Sequence, residues 1–153
     1  MAGFQVTKHI DAPPARVFEC AADFANAASR ITGITRVEML TDGPVRVGTR
    51  FRETRVMFKR EATEELEVTA FDPPRSYAIG AVSCGSRFHT EFRFTPKGTG
   101  TEVALDFQAE PLTFFAKVMS VLMKPMIKAC AKAVGKDLDD LKAAIEADCR
   151  QSP

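Results

Sequence analysis

The chain has 153 residues, 45% of them hydrophobic and 27% charged, with a formal net charge of +1. That describes one globular domain over about residues 1–150, large enough to bury about two thirds of its unfolded surface without disulfide or metal staples. The balanced charge, with no short Lys/Arg cluster interleaved with aromatics, excludes recruitment of nucleic acid.

Aromatic use is lopsided: twelve Phe, one Tyr and no Trp. Phe carries no polar handle, so the expected core is apolar throughout. Cys20, Cys84, Cys130 and Cys149 lie far apart and form no CxxC pair, which argues against a zinc site. The opening "MAGFQVTKHIDAPP" lacks the apolar run of a secretory signal. A cytoplasmic protein with free thiols is the expectation.

Taken in order, Gly3 to Ile10 alternates as a strand, with Phe4, Val6 and Ile10 on one face. Asp11 offers an N-cap and Pro13 an early helical position for a short helix through "PPARVFECAAD", with Val17, Cys20 and Ala21 inward. Asp23 can cap a second short helix, "FANAASRI", ended by Gly33. The period then becomes two. Val37 and Met39 share a face, "TDGP" turns the chain, and Gly48 leads into "VGTRFRETRVMFK". "REATEELEVTAF" places Ala62, Glu64, Leu66, Val68 and Ala70 together. "DPPR" is a turn, and "SYAIGAV" follows. "RFHTEFRFT" aligns Phe88, Thr90, Phe92 and Phe94; after the turn "PKGTGT", Val103, Leu105 and Phe107 face inward. Everything beyond Pro111 has helical period. Six strands joined by turns make an antiparallel meander with one dry face, and the C-terminal helix is the element large enough to cover it.

The stretches "IDAPPARVFECAAD", "VGTRFRE", "VTAFDPPRSYAIG" and "GTGTEVALDF", in this order, resemble the START-like, or SRPBCC, superfamily and within it the polyketide cyclase/dehydrase type. The resemblance runs over roughly Phe4 to Ile145. It implies an α+β helix-grip fold: a curved antiparallel sheet of about seven strands, two short helices after the first strand, and a long C-terminal helix on the concave face, with a cavity between. It implies no shared catalytic motif and no cofactor. It points to a region, the inward sheet face and the facing side of the last helix.

Residue by residue, His9 and His89 fall on the wet face, which argues against metal binding. No Ser sits in a nucleophile elbow, and "GTGT" lies between strands, so it is not a phosphate loop. If Phe51 points inward, so do Glu53 and Arg55, and Glu64 joins them from the next strand. Buried carboxylates need partners. These groups either orient a ligand's polar end, act as general acid or base, or turn out at the sheet end. Arg52, Thr54, Val56 and Phe58 form a competing face. Tyr77 either offers its hydroxyl to a ligand or bonds backbone as a core tyrosine. The weak catalytic candidates are Glu53, Glu64 and Tyr77.

"PLTFFAKVMSVLMKPMIKACAKAVGK", Pro111 to Lys136, is interrupted by Lys117, Lys124, Lys128, Lys132 and Lys136 and cannot span a bilayer. These lysines share one wide stripe, while Phe115, Met119, Leu122, Met126 and Ala133 lie roughly opposite. Val134, Leu138, Leu141 and Ile145 form a later, rotated stripe. One straight helix to Cys149 would run roughly 55–60 Å, longer than a domain of about 40 Å. A break is therefore predicted near Lys124–Pro125, with the first piece bordering the cavity and the second packed into the sheet. Phe114, Val118 and Val121 add apolar surface near the lysine side. Three uses compete for it, in this order: a cavity lid, a homodimer contact, or a rest on an anionic membrane. Scattered exposed apolar residues beside a wide core stripe would look the same.

The expected cavity lining is Phe51, Glu53, Arg55, Glu64, Leu66, Tyr77, Ile79, Phe88, Thr90, Phe92 and Phe107 from the sheet, with Phe115, Val118, Met119, Leu122, Met123 and Met126 from the helix. The function these readings favour is binding of a hydrophobic small molecule such as a lipid, isoprenoid, quinone or polyketide. The alternatives are a cyclase/dehydratase-type enzyme and an interaction protein using the apolar lysine-bearing helix at 111–124.

Overall fold

The computed structural model of the chain describes residues 2–57, 59–83, 85–122 and 126–151. Seven strands are β1 (Ala2–Ile10), β2 (Ile34–Met39), β3 (Arg50–Met57), β4 (Arg60–Asp72), β5 (Ser76–Ser83), β6 (Ser86–Lys97) and β7 (Gly100–Pro111). The helices are α1 (Pro14–Ala21), α2 (Ala27–Arg30) after a 3₁₀ turn at Phe24–Asn26, α3 (Phe114–Leu122) and α4 (Met126–Gln151). The strands form one antiparallel sheet in the order β1-β7-β6-β5-β4-β3-β2. The meander runs from β2 to β7, and β1 closes on β7 with Phe4 opposite Phe107. A Cβ at Gly100 would stand 2.6 Å from the Ile10 carbonyl oxygen, so only glycine lets the β6–β7 turn meet the end of β1.

The dry face is the one the alternation predicts over most of its length. Ile10, Phe51, Val68, Phe94, Val103 and Leu105 are buried there, and Leu138, Leu141 and Ile145 of α4 pack against them. The later helical stripe is thus the packed one. Phe51, rather than Arg52, faces inward on β3, which settles the register of that strand.

Three local expectations are corrected. First, α1 begins at Pro14 with Pro13 at the N-cap and no side-chain cap, because proline's fixed φ starts the helix without one. Asp11 instead donates its backbone N–H to Glu146 Oε2 at 2.8 Å. Asp23 does stand at the N-cap of the 3₁₀ turn, but its carboxylate makes no cap bond to the backbone and accepts hydrogen bonds from the Asn26 and Arg30 side chains instead. Second, a bulge between Val68 and Ala70 shifts the register of β4 against β5. It turns Ala70 out and Phe71 toward the core, because one extra residue reverses a period of two. Third, Phe18 is the anchor of α1. Its ring meets Phe71 at 5.4 Å, Tyr77 at 5.7 Å and Phe94 at 5.2 Å.

The described residues carry helix over Phe114–Leu122 (α3) and Met126–Gln151 (α4), on either side of the predicted break. Lys124 and Pro125 themselves lie outside the described residues. Among the described residues no helix is long and apolar enough to cross a membrane.

Truncation of Phe18 removes three ring contacts at once. Phe18→Ala is expected to lower the unfolding free energy by about 3–5 kcal/mol, read from denaturant titration. A loss below about 1 kcal/mol would mean that α1 is held by something else.

Candidate functional site

Between the concave sheet face and α4 lies a cavity of about 390 Å³, within the range of small-molecule sites. Each strand residue predicted for the lining borders it: Phe51, Glu53, Arg55, Glu64, Leu66, Tyr77, Ile79, Phe88, Thr90, Phe92 and Phe107. Most of the wall is apolar, built from Phe4, Leu66, Ile79, Leu105 and stacked aromatics. Phe107 stacks on Phe4 at 4.9 Å and on Phe88 at 5.9 Å. On the other side Tyr77 stacks on Phe92 at 4.7 Å, and Phe24 stacks on Phe51 at 4.5 Å.

The predicted helical wall is corrected. Phe115, Val118, Met119 and Leu122 are exposed on α3 and do not line the cavity. Met123 lies outside the described residues, and so does the side chain of Met126. The helical wall is α4, through Cys130, Val134, Asp137, Leu138 and Leu141. Helix α3 follows β7 and contacts it, whereas α4 packs along β1. Ala21, Phe24, Ala27, Arg30 and Ile31 close the third side.

One end of the cavity is charged. Glu53 and Glu64 are directly opposed on β3 and β4, so their side chains leave the same face. Arg55, two residues along β3, donates from Nη1 to Asp137 Oδ2 at 2.8 Å, and its Nη2 stands 3.8 Å from Glu53 Oε1. The three side chains are only 22%, 19% and 16% exposed for Arg55, Glu53 and Asp137. Burial raises both carboxyls above their ordinary values, and the attraction of Arg55 only partly offsets it. Burial also works against the charge on Arg55, but Glu53 and Asp137 outweigh it and hold the guanidinium above its usual value. Nearby, Arg30 is engaged by Asp23 at 3.0 Å and by the Cys20 carbonyl.

Tyr77 is buried, and its hydroxyl donates to the Ala21 carbonyl at 3.3 Å. Burial, followed by the charge on Glu53, pushes its pKa up, so it stays a neutral phenol. The ring lines the cavity while the hydroxyl braces α1. His9 and His89 are exposed, and among the described residues no group of acids, cysteines and histidines is placed to hold a metal ion.

Asp137 is the residue that sequence reasoning missed. Its signal was present: it stands three residues after Val134 and four before Leu141, on the apolar stripe itself. An acid at such a position needs a buried partner, and Arg55 supplies it.

The profile of the family described as polyketide cyclase / dehydrase and lipid transport matches residues 1–146. The chain belongs to this family. It is therefore a START-like protein of the polyketide cyclase type, and its helix-grip fold recurs in solved structures. A protein of Thermus thermophilus, TTHA0849, superposes with a TM-score of 0.79 at 21% identity, over 96% of this chain and 99% of that one. The Zhui aromatase/cyclase of a Streptomyces species gives 0.75 at 16% identity, over 98% and 96%. The di-domain aromatase/cyclase StfQ of the steffimycin biosynthetic pathway gives 0.76 at 12% identity, over 96% of this chain and 51% of that one. At these identities the likeness is one of fold. Comparison with curated protein sequences gives no match.

The Arg55 arrangement has a pH signature. Glu53 and Asp137 bind protons more tightly folded than unfolded. Their contribution to stability is therefore greatest at low pH and is lost as pH rises through their raised values. Arg55→Met removes the offsetting charge. It is expected to cost about 3–5 kcal/mol near neutral pH, with at least about half recovered as the pH falls and the two acids take up protons. Denaturant titrations at several pH values measure this. An equal loss at every pH would mean that Arg55 acts by packing alone.

Proposed function

We propose that this protein binds a hydrophobic small molecule of the lipid, isoprenoid, quinone or polyketide kind inside the cytoplasm, with the ligand's polar end at Arg55. The observation that carries this reading is an apolar cavity of about 390 Å³ with a single charged end. Membership of a family that includes polyketide cyclases and lipid transport proteins supports it.

The charged end also bears on the kind of ligand. Three carboxyl groups (Glu53, Glu64 and Asp137) line it against two guanidiniums, Arg30 and Arg55, and Arg30 is already paired with Asp23, which stands outside the lining. An incoming carboxylate or phosphate must displace an acid already paired with Arg55 and leave it buried without a partner. A hydroxyl, phenol or carbonyl has no such penalty and can bond either the carboxylates or the guanidinium. The preferred ligand is a neutral amphiphile.

A second reading has its own observation. Glu53 borders the cavity and holds its proton more tightly than an ordinary carboxyl, the property of a general acid. In a cyclase/dehydratase reaction it would give that proton to a departing hydroxyl, which leaves as water, while a base removes a proton from the adjacent carbon. Binding remains the first proposal because no histidine borders the cavity.

Native mass spectrometry of the protein from its own host, followed by extraction of the bound mass, tests the binding reading. The expected result is a co-purifying neutral, apolar compound that is lost from Thr90→Trp, whose indole would fill the cavity. Wild-type protein that carries no compound and also takes up no apolar fluorescent probe would overturn it. Turnover of a polyketide-like substrate that falls at least about a hundredfold in Glu53→Gln would instead establish the enzyme.

A further inference from the structure

Helix α3 inverts the usual pattern of burial. Among its described side chains the buried one is Ala116, seated over Gly85. There Gly85 has φ +75°, and a Cβ would stand 2.9 Å from Thr113 Oγ1 and 3.5 Å from the Ala116 Cβ. The large side chains point away: Phe114 is 84% exposed and Phe115 72%, and Val121 and Leu122 are exposed with them. A helix that buries an alanine and exposes its phenylalanines leaves an apolar patch characteristic of a contact surface.

Charge selects the partner. Between Glu110 and Asp137 the sequence has five lysines and no acid. Lys128 and Lys132 are exposed near the start of α4. The cavity does not use α3, since none of these apolar side chains borders it. A second copy is disfavoured, because a two-fold contact through α3 sets one lysine-rich segment against the other. An anionic lipid surface accepts both features, apolar rings at the acyl boundary and ammonium groups among the headgroups.

We infer that α3 is an interfacial anchor by which the protein rests, reversibly, on anionic membranes. The helix lies in the plane of the surface and does not cross it. At nine residues it is short, so attachment needs the apolar and the basic signals together. Each lysine at the surface contributes about a fivefold gain in partitioning, and salt weakens the attachment. The inference is independent of what the cavity holds.

The test is co-sedimentation of the full chain with phosphatidylcholine vesicles, with and without phosphatidylserine. Binding is expected only with phosphatidylserine and only at low salt. The double variant Phe114→Glu, Val121→Glu is expected to lose at least about tenfold in partitioning with Tm unchanged, because both side chains are exposed when folded. Lys128→Glu, Lys132→Glu is expected to lose a similar factor. Absence of binding to the anionic vesicles would overturn the inference, as would a Phe114→Glu, Val121→Glu protein that binds as well as wild type. So would a dimer in light scattering that this variant dissolves without any vesicle binding, which would make α3 a self-association face.

Discussion

A helix about 10 Å across cannot cover seven strands spaced about 4.8 Å apart. That mismatch generates most of what matters in this molecule. Helix α4 packs chiefly along β1, while the 3₁₀ turn and α2 lie against β2. Together they do not fill the space over the inward faces of β4, β5 and β6, and a cavity remains there. Phenylalanine suits such a wall, because a ring with no polar atom can border empty or ligand-filled space without an unsatisfied group. Tyr77 fits by sending its hydroxyl away, to Ala21.

The same gap explains the charged cluster. Where α4 approaches β3, Arg55 bridges Asp137 of the helix to Glu53 of the sheet, and Glu64 stands beside them. A buried ion pair of this kind adds little net stability but strongly penalises loss of one partner. It fixes how α4 meets the sheet and places unequal numbers of acids and bases at one end of an apolar space. Size and greasiness come from the aromatic wall; in the proposed function, preference among ligands comes from the excess of carboxyl groups.

How far the sequence disclosed this follows from how each feature is encoded. Period-two alternation made the inward positions of β3, β5 and β6 legible, because Phe51, Tyr77, Ile79 and Phe92 have no plausible place on a wet face. Alternation could not locate the bulge that turns Phe71 inward, since an extra residue leaves no mark in hydropathy. Phe18 was passed over because a short helix offers too few turns to define its stripe. The role of α3 was not legible. Periodicity set Phe115, Met119 and Leu122 opposite the lysines as its inward face, yet Phe115 and Leu122 are exposed where a lid would have buried them. Asp137 sat on a recognisable stripe, yet a lone acid reads as surface until its partner on a distant strand is known.

The central claim is that an acid-rich end makes this cavity select neutral amphiphiles. Calorimetric titration at neutral pH with a long-chain alcohol and the carboxylic acid of the same chain length tests it most directly. The alcohol is expected to bind at least about tenfold tighter, since the acid must either bury its charge beside Glu53 and Asp137 or first take up a proton. Equal or tighter binding of the acid would contradict the account, and so would failure of both to bind.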